Sequence, residues 1–364
     1  MQSATLLSIL EMSSIAAACI GSFHLPIHEM TARNSVNPLL TKREVSQPAT
    51  TNDTHWTVAQ NTRQMQVSDD AFIARDLLHF NHHPNVSVYY PGAVVMDLDE
   101  HLQDMRLLFS TYSDMAPHNH NYRVLFGEGD WTVALTQLTG TNDGPLPNAT
   151  GALLSPTMRT VKAGIMTIAH WNGGLIMEEY LWVDTPKMWR QLGLLPSPPA
   201  AELPDLELSP YTAPLTTHPD IDPSTINKEK MKQTNEAFNA GKFEPDSMNL
   251  SSNITVYGFN DEGLDLQGFL DILSSYKVAF PNLRLENQQT IGQGDWIATI
   301  SHLSGTHQGS LMLPAYLADG PVAATNKSFN LLHYTISRWQ EGEIVAMKVN
   351  IDTFGILGAL SIPL

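Results

Sequence analysis

The sequence predicts an α+β protein of two tandem cone-shaped α+β barrel units, each a curved antiparallel sheet wrapped around N-terminal helices. Three observations lead there. A sixteen-residue pattern is written twice, as GDWTVALTQLTGTNDG at 129–144 and GDWIATISHLSGTHQG at 294–309, at a constant offset of 165. In each half, segments with helical spacing precede segments with strand alternation. A proline-rich, acidic stretch separates the halves, which is a linker composition. A repeat of this length points to one unit used twice.

The elements follow in order. Residues 1–50 lack sustained periodicity and are read as a leader or flexible arm, with a signal-peptide-like stretch in 1–22. The first unit is assigned to 51–196, the linker to 197–223 and the second unit to 224–364. Each unit opens on a helix; 228–240 is the clearer one, with Met231, Ala237 and Phe238 as inward positions. A short strand follows at 86–90 or 254–257, then a helix at 99–112 or 266–280. Three or four long strands complete each unit. Trp131, Val133 and Leu135 alternate with their neighbours as in a half-buried strand. Asn172-Gly173-Gly174 and Glu341-Gly342 fit hairpin turns.

The chain has 364 residues and a formal charge of −17. Such an acidic chain repels phosphate backbones, so no nucleic-acid partner is expected. The single cysteine, Cys19, lies in the leader, which excludes intrachain disulfides and cysteine chemistry in the folded body. No apolar run reaches the length of a membrane span. The leader and six Asn-x-Ser/Thr sequons leave secretion and a cytoplasmic location both open.

Four landmarks occur together: an early helix, Gly-Asp-Trp opening a strand, Gly-Thr-x-x-Gly closing it, and a late aspartate. In the first unit that aspartate, Asp184, stands seven residues before Gln191-Leu192-Gly193. This pattern resembles the SnoaL-like polyketide cyclases, in the nuclear-transport-factor-2-like superfamily, over 60–196 and more loosely over 225–357. The second unit keeps Asp352 and a more typical Gly-Thr-His at 305–307, but lacks Gln-Leu-Gly; the first has Asn142 where the family usually has histidine.

The resemblance implies ring closure by intramolecular aldol condensation, with no metal or cofactor, on a small apolar or polyketide-like ligand. One carboxylate removes a proton next to a carbonyl. The family pattern makes Asp184 that residue and Asp352 its counterpart. Strand alternation puts Glu178, Tyr180, Trp182 and Asp184 on one face, which suits a pocket lining. His170, across the hairpin turn, is the expected assistant, and Asn142 a further pocket residue. The second-unit counterparts are Arg338, His307 and Asn350. A carboxylate beside Arg338 would be a weaker base, which favours the first unit as the catalyst.

Each choice has a bland reading. Asp184 also fits a helix cap before Thr185-Pro186. His170 and His307 fit hydrogen-bonded structural histidines, and Trp131 and Trp296 fit core anchors. His79, His82, His83, His118 and His120 crowd the first unit, but no acidic partner stands at a local ligand spacing, so no metal site is read there. Two rival functions stand beside the enzyme. One is a non-catalytic binder of an apolar ligand. The other is a structural module whose two units pair within one chain as an internal pseudo-dimer.

Overall fold

The computed structural model describes residues 55–117, 122–147, 152–195, 222–259 and 263–362. The leader, His118, His120 and all but the last two residues of the proline-rich linker lie outside them.

Helix α1 (Val58–Ala74) is opened by a capping box, Thr57 with Gln60, and turns Met65, Ser68 and Ala71 inward. Strand β1 (His82–Tyr90) and the short β2 (Val94–Met96) follow, then helix α2 (Leu98–Thr111). Asp97 and Glu100 cap α2 reciprocally, and its buried stripe is His101, Asp104, Met105 and Leu108, the i, i+3, i+4, i+7 spacing of one helix face. After β3 (Ala116–Pro117), the long strands are β4 (Val124–Glu128), β5 (Trp131–Thr141), β8 (Thr160–Asn172) and β9 (Leu175–Val183). The two-residue strands β6 (Leu146–Pro147) and β7 (Leu153–Leu154) pair apart from them, and helix α3 (Thr185–Leu192) ends this half.

The second half runs α4 (Ser224–Ala240), β10 (Leu250–Tyr257), α5 (Leu266–Ala279), β11 (Arg284–Gln293), β12 (Trp296–Thr306), β13 (Ser328–Gln340), β14 (Glu343–Asn350) and α6 (Thr353–Ala359). The first sheet has the order β2-β1-β9-β8-β5-β3, with β4 also on β5; the second has β10-β14-β13-β12-β11. Both are open and mixed rather than purely antiparallel. Strand β1 runs parallel to β9, and β10 parallel to β14. The helix between the opening strand and the long hairpins lets the first strand return alongside the last.

The repeated motif does the same job twice. Gly129 and Gly294 turn the β4–β5 and β11–β12 hairpins at φ near +57° and +58°, a conformation that favours glycine. Asp130 and Asp295 carbonyls accept from Trp171 and Trp339 N–H at 2.8 and 2.7 Å. The closing glycines have a different reason. A Cβ on Gly144 would meet Ser110 O at 1.7 Å, and one on Gly309 would meet Val278 O at 2.0 Å. Close backbone approach, not positive φ, demands glycine there.

The two sheets share one core. Val133, Leu135, Met166, Ile168 and Trp182 of the first form a buried cluster with Ile291, Trp296, Ala298, Ile300, Tyr334 and Ile336 of the second. Helices cover the opposite face of the first sheet, where a separate cluster includes Phe80, Met105, Leu108, Leu138, Met188 and Trp189.

Candidate active site

Between α1, α2 and the helix-covered face of the first sheet lies a cavity of about 170 Å³, roughly ten times the space one water needs (~15 Å³). Its walls are mostly apolar, with Phe72, Phe80, Met105, Leu138, Leu181 and Met188 among them, and residues 351–354 of the second half close one side. Five ionisable or hydroxyl groups converge on it from three elements: Tyr90 and His82 from β1, His101 and Asp104 from α2, and Glu179 from β9; Asp69 of α1 and Asp352 also line it.

These groups form a connected set. His82 Nε2 and Glu179 Oε2 are 2.9 Å apart. The Tyr90 hydroxyl and His101 Nδ1 are 2.8 Å apart, and Tyr90 also donates to the Asp104 carboxyl. Burial pushes Asp104 up to about 7, against the opposing hydrogen bond from Tyr90. One of its oxygens, Oδ1, is buried without a partner. Burial, with a smaller push from His82, takes His101 down to about 3, so its ring is neutral. Burial alone would raise Glu179, but attraction and a hydrogen bond from His82, with His101, hold it below the usual carboxylate range. Tyr90 is raised well above its ordinary value, chiefly by burial.

Most of the expected site residues do not line this cavity. Alternation along β9 has the expected period but the opposite face inward: Glu179, Leu181 and Val183 line the cavity, while Glu178 and Tyr180 do not. The reason is that both faces of this strand are covered, one by helices and one by the second sheet, so apolar residues alternate on neither. Tyr180 packs beside the inter-sheet cluster and stacks on Tyr89 with ring centres 4.5 Å apart. Trp182 belongs to that cluster and also touches the cavity, and Lys348 Nζ lies 5.0 Å from its ring centre.

Asp184 and His170 are not brought together. His170 pairs in register with Trp131 and Glu178 at one end of the β8–β9 hairpin, whereas Asp184 follows β9 at the other. The His170 ring stacks on Trp131 at 4.6 Å, and its Nδ1 is 3.8 Å from Glu178 Oε1. Asp184 caps α3, accepting from Lys187 N–H at 3.1 Å, and does not line the cavity although Val183 and Thr185 do. Gln191 of the Gln-Leu-Gly motif ties α3 to the sheet by two hydrogen bonds to the backbone of Lys162, at 2.5 and 2.7 Å.

Asp352, by contrast, does line this cavity. It caps α6 through Gly355 N–H at 2.8 Å and accepts from Gly92 N–H of the first half at 2.5 Å. Burial raises its carboxyl, and those two N–H groups oppose the rise. Arg338 is exposed and pairs with Asp295 at 2.8 Å, not with Asp352. His307 is fully buried near Thr325, with its Nδ1 accepting from Thr325 N–H at 3.2 Å. Asn142 is fully buried too; its amide donates to Gly144 O at 2.9 Å and its oxygen accepts from Thr157 N–H at 2.8 Å. Asn350 lies in the inter-sheet region, its amide 3.2 Å from Met166 Sδ. The second half has a smaller cavity of about 30 Å³ lined by Tyr276, Phe280, Leu311 and Phe329 among others. Asn142 and His307 touch neither cavity.

Tyr90, His101, Asp104 and Glu179 are not singled out by sequence reasoning. A signal exists for two of them. His101 and Asp104 share the buried stripe of α2 with Met105 and Leu108, and two ionisable residues on an apolar helix face are unusual enough to mark a site. His82 stands out in the sequence but reads there as a loop residue; it begins β1. Its acidic partner Glu179 is 97 residues away, beyond any local spacing rule.

Among the described residues no helix is long and apolar enough to cross a membrane. Residues 228–360 match the family model of the SnoaL-like polyketide cyclases. The motifs place the firmer resemblance over 60–196; the match falls on the other half. No curated protein matches the chain. Among solved structures, TsrD from Streptomyces laurentii is 25% identical, with a TM-score of 0.33, over 38% of this chain and 99% of its own. IdmH, a candidate polyketide cyclase from Streptomyces antibioticus, is 19% identical, with a TM-score of 0.33, over 37% of this chain and 99% of its own. An NTF2-like protein from Burkholderia pseudomallei is 18% identical, with a TM-score of 0.29, over 36% and 97%. Over residues 228–360, the chain is similar to the SnoaL-like polyketide cyclases.

Proposed function

We propose that the cavity of the first half is an active site for acid–base chemistry on a small apolar carbonyl compound of polyketide type, with Asp104 as the base. One observation carries the reading: a buried carboxyl on an otherwise apolar cavity wall, held near neutrality at about 7, with one oxygen free of partners. A base with that affinity is half ionised at neutral pH, where it can both take and return a proton. Ionised Asp104 removes the proton next to a substrate carbonyl; the enolate carbon attacks a second carbonyl of the same molecule; Asp104 returns the proton to the new alkoxide. Tyr90 positions Asp104, and the apolar walls exclude water.

The test is ring closure of poly-β-keto esters, followed by chromatography and absorbance. Asp104→Asn is expected to slow it at least ~100-fold while leaving the fold intact. Unchanged turnover in that variant, with loss in Asp184→Asn, would return the role to Asp184.

We further infer that the chain is a tandem duplication of one cone-like unit, paired internally as a pseudo-dimer. The matched strand order, the matched hairpin geometry and the single core between the sheets support this. Residues 55–195 produced alone are then expected to self-associate through the bared sheet, and a monomeric, stable fragment in sedimentation would count against the pairing.

A further inference from the structure

The cavity holds a second arrangement that Asp104 chemistry does not use. His82 Nε2 lies 2.9 Å from Glu179 Oε2, and His101 Nε2 lies 4.0 Å from the same oxygen. Candidate donor atoms of the three residues all fall within 4.8 Å of one another. Two imidazoles therefore converge on one carboxylate oxygen, but only one is near enough to hydrogen-bond to it. His101 Nε2 and His82 Nδ1 are buried with no hydrogen-bond partner, on side chains 2% and 3% exposed. A buried ring nitrogen is seldom left so without a reason. An ion with bonds of about 2.0–2.2 Å fits between donors some ~3–4 Å apart.

We propose that His82, His101 and Glu179 bind a divalent transition-metal ion. Two imidazoles and one carboxylate are a donor set for Zn²⁺ or Fe²⁺, and three protein ligands leave a position open to the cavity. For His101, part of what such a site needs is already in place. A ligating histidine is normally held through its other ring nitrogen, and Tyr90 holds His101 Nδ1 at 2.8 Å while being anchored in turn by Asp104. The bland alternative is a buried histidine–carboxylate pair with a structural role. It explains the contact of His82 with Glu179 but not the second imidazole, which stops short of the same oxygen. What the ion would do rests on the acid–base reading: a carbonyl polarised by it would lose its neighbouring proton to Asp104 more readily. The binding itself does not depend on that reading.

The full chain, freed of metal with a chelator and dialysed, is titrated with Co²⁺ and then Zn²⁺. One equivalent of Co²⁺ is expected to give a visible absorption band that Zn²⁺ abolishes, and Zn²⁺ is expected to raise the melting temperature. His101→Gln should lose the band. Tyr90→Phe keeps the ring and the packing, and should weaken binding about 10–100-fold. His79→Gln, which alters an exposed histidine, should change nothing. No stoichiometric Co²⁺ uptake overturns the site, as does a band that survives in His101→Gln and Tyr90→Phe but falls in His79→Gln. Absent uptake with Asp104-dependent turnover intact removes only the ion. Uptake with turnover indifferent to Asp104→Asn removes only the acid–base reading.

Discussion

Burying Asp104 carries a pH-dependent cost. Its folded value of about 7 stands above the ordinary ~3.9 of an unfolded chain. The unfolded chain therefore ionises first, so stability is full below about pH 4 and falls as pH rises towards 7. That rise amounts to about 4 kcal/mol, an upper bound on this one group's effect. Asp104→Asn is expected to be more stable than the parent at pH 8 and similar at pH 4, by urea unfolding at the two pH values. His333 has the opposite sign. Burial lowers it to about 4, so its contribution is present above about pH 6.5 and lost as pH falls towards 4, by about 3 kcal/mol. His333→Asn should flatten the acid limb of the stability profile over that window.

At the scale of elements, the first and last glycines of each motif separate two kinds of constraint. Gly129 has φ near +57°, and a Cβ there would meet nothing within 4 Å. Gly129→Ala should therefore cost about 1 kcal/mol, the strain of a left-handed alanine. Gly309 needs no left-handed backbone but has no room beside Val278 O, so Gly309→Ala should cost about 3 kcal/mol. Denaturant midpoints of the two variants test the difference. The same scale explains what is legible in the sequence. Helices α2 and α5, expected at 99–112 and 266–280, occupy Leu98–Thr111 and Leu266–Ala279, because Asp97 and Asp265 cap them and apolar residues recur at helical spacing. The parallel pairing of β1 with β9 is not legible, since pairing between remote strands leaves no local mark. Nor is the inward face of β9, since Glu178 and Glu179 stand side by side and only packing distinguishes them.

For the whole molecule, the core between the sheets is the feature on which both halves depend. Trp296 is 4% exposed within it, and Trp296→Ala should cost about 3–5 kcal/mol. Because residues of both sheets line that core, calorimetry should show a single transition, lowered in the variant, rather than loss of one half alone. The cavity depends on the same union: Asp352, on the second half, closes one side of a cavity lined mostly by residues of the first.

The sequence by itself determined the α+β class, the repeated hairpins, the capped helices and the family pattern, because each rests on local spacing, turn chemistry or residue identity. The tertiary structure decided which polar side chains share a cavity. His82, His101 and Glu179 meet only when β1 lies against β9 and α2 packs beside them, whereas Asp184 caps α3 through a bond three residues along the chain. Short-range rules are written along the chain, whereas a site built from three distant elements exists only after they are brought together.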